Sequence, residues 1–361
     1  MGLVESENNR TFEKSGLGKK GNHMQKKLIT IALSTALGLT GTASFADTLE
    51  DVKAKGYVQC GVTGGVSGFS APDANNNWSG IEVDYCRALS AAIFNDPDAV
   101  RYTPLTSTER FAALSSGEID VLSRTTTWTM SRDTTLGINF AGVMFYDGQG
   151  FMVRVADGIE SALDLSGAAV CIESGTTTEL NAADYFSANG LEYNPIVFVD
   201  QDEVVKAYED GRCDVYTTDS SALASERTKL ADADAHVILP EIISKEPLGP
   251  SVRQGDDNWF NIARWTYFAI LNAEELGVTQ ANVDEMLGSD NPSIKRLLGV
   301  EGDFGTPMGL DKDWAYNILK HLGNYSEMYE RHVGPSTPIG LERGINALWT
   351  NGGIQYAPPV R

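Results

Sequence analysis

Short apolar runs alternate with amphipathic helical stretches along this chain. That alternation is the pattern of an α/β fold with parallel strands, and it constrains the chain more than any other feature. Residues 57–62 predict a strand that breaks at Gly64-Gly65, after which Tyr85, Ala88, Leu89, Ala92 and Ile93 fall at helical spacing. Thr106 and Glu109 form a capping-box pattern ahead of Phe111 and Leu114, Gly117 closes that segment, and residues 119–122 predict the next strand. The rhythm restarts at residues 167–172 and passes through a Gly-Thr-Thr turn to a further extended run at 195–199. A helical pattern bearing Val204, Val205 and Tyr208 follows, then another extended run at 213–216. Extended segments flank this second unit, at 142–154 and 244–253, and are natural crossings between two lobes. Beyond Asp256 the pattern is helical, with Trp259, Ile262, Ala263, Thr266 and Ile270 on one face. Two such units joined by two crossings leave a cleft between them, the usual place for a small ligand.

Met24 to Ala46 has the marks of a secretory signal: Lys26 and Lys27, an apolar run from Leu28 to Leu39, and the small-x-small site Ser44-Phe45-Ala46. The apolar run is too short and too interrupted by Ser and Thr to predict stable membrane insertion. Residues 1–23 are polar and aperiodic and are expected to be an over-extended start, with Met24 the initiator. Taking the six Lys/Arg and three Asp/Glu of the leader from the 28 and 49 of the whole chain leaves 22 and 46, a net charge of −24. So acidic a surface argues against nucleic acid or anionic lipid as partner and suits a soluble, freely diffusing protein.

Four cysteines follow the leader: Cys60, Cys86, Cys171 and Cys213. An even count in an oxidising compartment suggests two disulfides with three connectivities. Pairing within each unit, Cys60–Cys86 and Cys171–Cys213, is the simplest of these, and four buried free thiols are the alternative. The spacing lacks CxxC and histidine is scarce, so no metal site and no cofactor are expected.

Five segments follow one another: Trp78-Ser79-Gly80-Ile81-Glu82-Val83-Asp84-Tyr85-Cys86-Arg87-Ala88, Arg110 to Asp120 with its Leu-x-x-Gly-x-x-Asp ending, Thr125-Thr126-Thr127-Trp128-Thr129-Met130-Ser131-Arg132, Ser174-Gly175-Thr176-Thr177-Thr178-Glu179, and Gly211 to Asp219. In order and placement they resemble the motifs of the polar amino-acid solute-binding family, bilobal periplasmic receptors of ABC importers. The long C-terminal part looks closest to the general L-amino-acid-binding branch. The resemblance implies a two-lobed (type II, Venus-flytrap) α/β fold, with 47–149 and 249–361 forming lobe 1 and 150–248 lobe 2. It implies free L-amino acids and an inner-membrane ABC permease as partners, and a monomer in the periplasm. No Cys follows the cleavage site to carry a lipid, so an outer membrane would be needed to retain such a receptor.

By the same resemblance Arg132 is the carboxylate clamp, through two parallel N–H bonds that Lys cannot offer. Asp219 accepts the ammonium protons from the other lobe. Thr125 and Thr127 complete the first-lobe contacts, and Thr176 and Thr177 reach the carboxylate from a helix N-terminus. Each has a plainer reading: a solvated helix start at Arg132-Asp133, a capping box at Thr176-x-x-Glu179, a cap by Asp219 on the helix beginning at Ser220, and ordinary strand composition at 125–127. The stretch Thr63 to Phe69 departs from the family by lacking an acid and being rich in glycine. A roomy side-chain pocket walled by Phe69 or Trp128, and broad specificity, are expected. GxSxG, phosphate-loop and dinucleotide motifs are absent, so an enzyme is not expected, with a periplasmic dehydratase on the same fold as the alternative.

Overall fold

The computed structural model describes residues 47–361; the leader falls outside the described residues. Two five-stranded sheets form the frame. The first runs in the order Val100–Pro104, Val58–Val62, Val121–Leu122, Ser251–Arg253, Ile138–Phe140. The second runs Tyr193–Phe198, Ala168–Glu173, Val215–Asp219, Gln149–Arg154, His236–Ile238. In each, the first three strands are parallel, the fourth runs antiparallel to them, and the fifth pairs antiparallel with the fourth. The sheets are therefore mixed rather than all parallel. The reversed strand of each sheet, Ser251–Arg253 or Gln149–Arg154, is the one that the chain forms as it enters from the crossing. The crossing itself is a two-stranded antiparallel ladder, Phe145–Asp147 against Glu246–Leu248, with Asp147 opposite Glu246.

Both faces of each sheet are covered, so its central strands are buried along most of their length. Val58, Cys60 and Val62 are fully buried. One face of the first sheet packs on the helices Ile81–Phe94 and Asp257–Glu275, the other on Arg110–Ser116. The second sheet is covered on one face by Thr178–Ala188 and on the other by Gln201–Glu209 and Ser220–Arg227. The stripe Trp259, Ile262, Ala263, Thr266, Ile270 is buried along its whole length. Truncating any large member of such a stripe costs about 2–5 kcal/mol. Trp259 also donates its Nε1–H to the Asp120 carbonyl at 2.9 Å, so its burial leaves no polar atom stranded.

Two disulfides, Cys60–Cys86 and Cys171–Cys213, each tie one sheet to a neighbouring helix or loop of its own lobe. Among the described residues no cysteine is free. The C-terminal segment folds back against the crossing. Asn346 brackets Tyr146, accepting from its N–H and donating to its carbonyl, and Gln355 donates to the Val143 carbonyl. Tyr325 donates to the Met144 carbonyl, and Tyr329 stacks on Phe145 at 5.9 Å. Among the described residues no helix is long and apolar enough to cross a membrane.

Candidate functional site

The carboxyl ends of the parallel strands in both sheets face one cleft, where open α/β sheets bind ligands. From the first sheet, Val121–Leu122 runs on into Ser123-Arg124-Thr125-Thr126-Thr127. From the second come Glu173 to Thr178, at the start of the helix Thr178–Ala188, and Asp219, at the end of Val215–Asp219. They enclose a cavity of about 30 Å³, lined among others by Thr125, Thr127, Thr176, Thr177, Asp219 and Arg110. That is room for one or two waters. Four contacts hold the lobes together across it. Arg124 meets Glu173 at 3.5 Å, Arg110 donates to the Gly175 carbonyl at 3.3 Å, the Thr127 and Thr177 hydroxyls lie 3.4 Å apart, and Ser225 donates to the Ser67 carbonyl at 2.8 Å. Gly175 has φ +74°, and a Cβ there would stand 2.9 Å from Thr108 of the opposite lobe, so this turn can approach so closely only as glycine.

Asp219 is 8% exposed. It occupies the N-cap position of Ser220–Arg227 but makes no side-chain cap bond, so the capping reading is not what the structure adopts. Burial pushes its carboxyl well above the ordinary range, Asp147 and Glu246 add repulsion, and Arg110 and Arg132 oppose the rise. Asp147 is raised to about 6, again by burial first. Three carboxylates, Asp219 and Glu246 buried and Asp147 half-buried, thus crowd one part of the cleft. Glu246 is held by Thr177 at 2.9 Å, Asn181 at 2.6 Å and Ser244 at 2.6 Å, and Asp147 by Ser221 and by the Gly148 N–H. Asp219 has no such hydrogen-bond partner among the described residues.

The rest of the cavity is rich in donors. Arg110 is buried, and its Nε and the Ser107 hydroxyl, both belonging to cavity-lining residues, lack hydrogen-bond partners among the described residues. Buried donors of this kind are costly unless something accepts from them. The helix Thr178–Ala188 starts without a side-chain cap: the Thr176 hydroxyl donates back to the Glu173 carbonyl at 2.7 Å, and Thr177 is the N-cap. The expected Thr176-x-x-Glu179 capping box is therefore not formed, and the first-turn N–H groups are left to face the cavity.

Arg132 lies beside this cavity rather than in its wall. Its guanidinium is buried, sits 5.2 Å over the Phe111 ring and donates to the Thr127 carbonyl at 2.9 Å. The solvated-helix-start reading fails on that burial. Thr125 has φ +32°, a strained value for a residue with a Cβ, and its N–H donates to the buried Glu82 carboxylate, which Ser70 also contacts at 3.1 Å. Burial raises Glu82 to about 7.

Two residues expected as pocket walls lie away from the lining of this cavity. Phe69 is 1% exposed and packs edge-on against Phe145 at 5.4 Å, in the core beneath the cleft, because the turn around it directs the ring inward. Trp128 is 38% exposed and stacks on Phe140 at 5.4 Å, outside the cavity lining. Val66 takes the inner wall instead, and Gly64 and Gly65 border a second chamber of about 250 Å³. Sequence reading assigned no role to Arg110, Arg124, Glu173 or Glu246. For Arg124 the sequence offers only a lone guanidinium at a strand end, a charge whose partner it does not name.

Comparison with known proteins agrees with this frame. The family described as bacterial extracellular solute-binding proteins, family 3, matches residues 58–278. The chain is 61% identical over 341 residues to the general L-amino acid-binding periplasmic protein of Rhizobium johnstonii, covering 94% of this chain and 100% of that one. It is 52% identical over 339 residues to the glutamate/glutamine/aspartate/asparagine-binding protein of Rhodobacter capsulatus, covering 94% and 100%. A solved periplasmic binding protein from Brucella ovis, with glutathione bound, is 60% identical and superposes with a TM-score of 0.86 over 88% of this chain and 100% of that one. This chain belongs to the bacterial extracellular solute-binding proteins, family 3.

Proposed function

We propose that this protein is a periplasmic receptor that captures free L-amino acids with varied side chains and presents them to an inner-membrane ABC permease. It acts as a monomer, without catalysis or cofactor. Segments 47–149 and 249–361 form lobe 1, and 150–248 forms lobe 2. The relatives named for amino-acid binding, at 61% and 52% identity, support the class of ligand. The observation that carries the reading is the pairing of unsatisfied groups. A buried carboxylate without a hydrogen bond, Asp219, shares the cleft with buried arginines and an unpartnered Arg110 Nε from the opposite lobe and with an uncapped helix N-terminus from its own. An α-amino acid brings one ammonium for the first and one carboxylate for the others.

The cavity of about 30 Å³ is smaller than any amino acid, so ligand enters only when the lobes part. The crossing strands Phe145–Asp147 and Glu246–Leu248 serve as the hinge. Ligand docks first on the lobe with Arg132, Arg110, Thr125 and Thr127. The lobe with Asp219, Thr176 and Thr177 then closes, and the closed form is favoured because these second-lobe contacts exist only there. Arg132→Ala is expected to weaken every amino acid by about 2–3 kcal/mol, the usual worth of a lost charge-assisted bond, in calorimetric titration against wild type. Undiminished affinity in that variant would remove Arg132 from the clamp.

A further inference from the structure

Beside the inner cavity lies the larger chamber of about 250 Å³, and the two share Arg124, Glu173 and Gln201 as a common wall. Arg124 comes from one lobe and Glu173 from the other, and their side chains are 6% and 9% exposed. Their contact is single and long, 3.5 Å between Nη2 and Oε1, where a good charge-assisted bond measures about 2.7–2.9 Å. Arg124 is anchored separately: its Nε donates to the Leu105 carbonyl at 2.8 Å. The Glu173 carboxylate accepts no bond from the described residues other than that of Arg124.

The other charges of the chamber are engaged. Glu109 accepts from the Thr106 N–H and hydroxyl, and Asp200 caps the helix Gln201–Glu209. Glu226 meets Lys229 at 2.8 Å and Gln201 at 3.1 Å. Asp202 is largely exposed, 3.8 Å from Lys229. The loosely held groups are therefore one guanidinium and one carboxylate, both dry, at the mouth of the space that a ligand side chain would fill. A buried pair with poor geometry gains little over its desolvation, so a better partner displaces it readily.

We propose that Arg124 and Glu173 are the residues that read the ligand's side chain, and that they read charges of both signs. An anionic side-chain terminus takes Arg124 from its partner, a cationic one takes Glu173, and a small neutral side chain leaves the pair intact as a latch. The proposal rests on the amino-acid reading above and gives it a physical route to breadth, since one zwitterionic pair serves opposite ligands.

Calorimetric titration of wild type, Arg124→Gln and Glu173→Gln with L-glutamate, L-arginine and L-alanine tests it. Arg124→Gln is expected to lose at least about 30-fold for glutamate, and Glu173→Gln a similar factor for arginine, as for other buried charge pairs cut on one side. Each variant weakens alanine far less than its own charged ligand, the small common loss being that of the severed contact between the lobes, and retained alanine binding certifies its fold. Equal weakening of all three ligands by either variant, or no change at all, overturns the proposal. So does a wild type that takes only one of the two charged ligands. A wild type that binds none of the three overturns the amino-acid reading itself.

Discussion

Asp219→Asn is expected to cost about 3 kcal/mol of amino-acid affinity, roughly 150-fold, whatever the side chain of the ligand. The reason is geometric: this carboxylate is buried, lines the cavity and has no hydrogen bond of its own, so the ligand ammonium is its natural partner. A pH effect accompanies it. Burial, Asp147 and Glu246 hold the Asp219 carboxyl above its ordinary pKa, whereas the ammonium needs it ionised. Where the pH lies at or below that raised value binding expels a proton, and affinity falls as pH drops through it. Calorimetry in buffers of different ionisation enthalpy should detect that proton in wild type and find less release in Asp219→Asn. For the ligand-free protein the sign is opposite. An acid whose folded pKa exceeds its unfolded one lowers stability as pH rises between the two, and the loss stays in full above the folded value. Asp219→Asn should thus bind poorly yet be no less stable than wild type at pH 8. A variant that is both weaker and unfolded would speak for a merely structural aspartate.

Removing either disulfide should have the largest effect on stability. The Cys60–Cys86 and Cys171–Cys213 bridges close sequence separations of 26 and 42 residues. On chain-entropy grounds each contributes about 3.5–4 kcal/mol. All four sulfurs are buried, so paired alanine substitutions also leave small cavities. Each bridge lies within one lobe. Cys171→Ala with Cys213→Ala should therefore shift the urea unfolding of the lobe bearing Asp219 and leave the other nearly in place. Unequal shifts would appear as a transition split in two, because two lobes need not unfold as one. A loss below about 1 kcal/mol would mean that the sheets hold these segments without help.

The parts of this fold legible in the sequence are those with a strong period. The stripe from Trp259 to Ile270 repeats every three or four residues and is buried, and the strand Val58–Val62 buries Val58, Cys60 and Val62 on one face, with Gly61 and the half-buried Gln59 on the other. The strand Val100–Pro104 left no such mark. It lies at the sheet edge, partly exposed, and ends in a proline that only an edge tolerates. At the site, Asp219, Thr127 and Thr177 were legible through their motifs. Arg110, Arg124 and Glu173 were not, since a single charge at a helix start or strand end acquires meaning only when the two lobes bring partners together. Phe69 shows the converse error. A residue adjoining a cleft in sequence can still turn its side chain into the core, and no period over seven residues reveals which way a turn points it.

One comparison bears most directly on the account: calorimetric titration of the wild-type protein with L-alanine, propionate and L-alaninamide. These share a carbon frame and differ only in which clamp they can satisfy. Arg132 and Arg110 need the carboxylate, and Asp219 needs the ammonium. L-alanine is expected to bind at least about 100-fold more tightly than either analogue, since each leaves a buried charge without its partner. Propionate binding as tightly as L-alanine would contradict the account, because Asp219 would then have no part in holding the ligand.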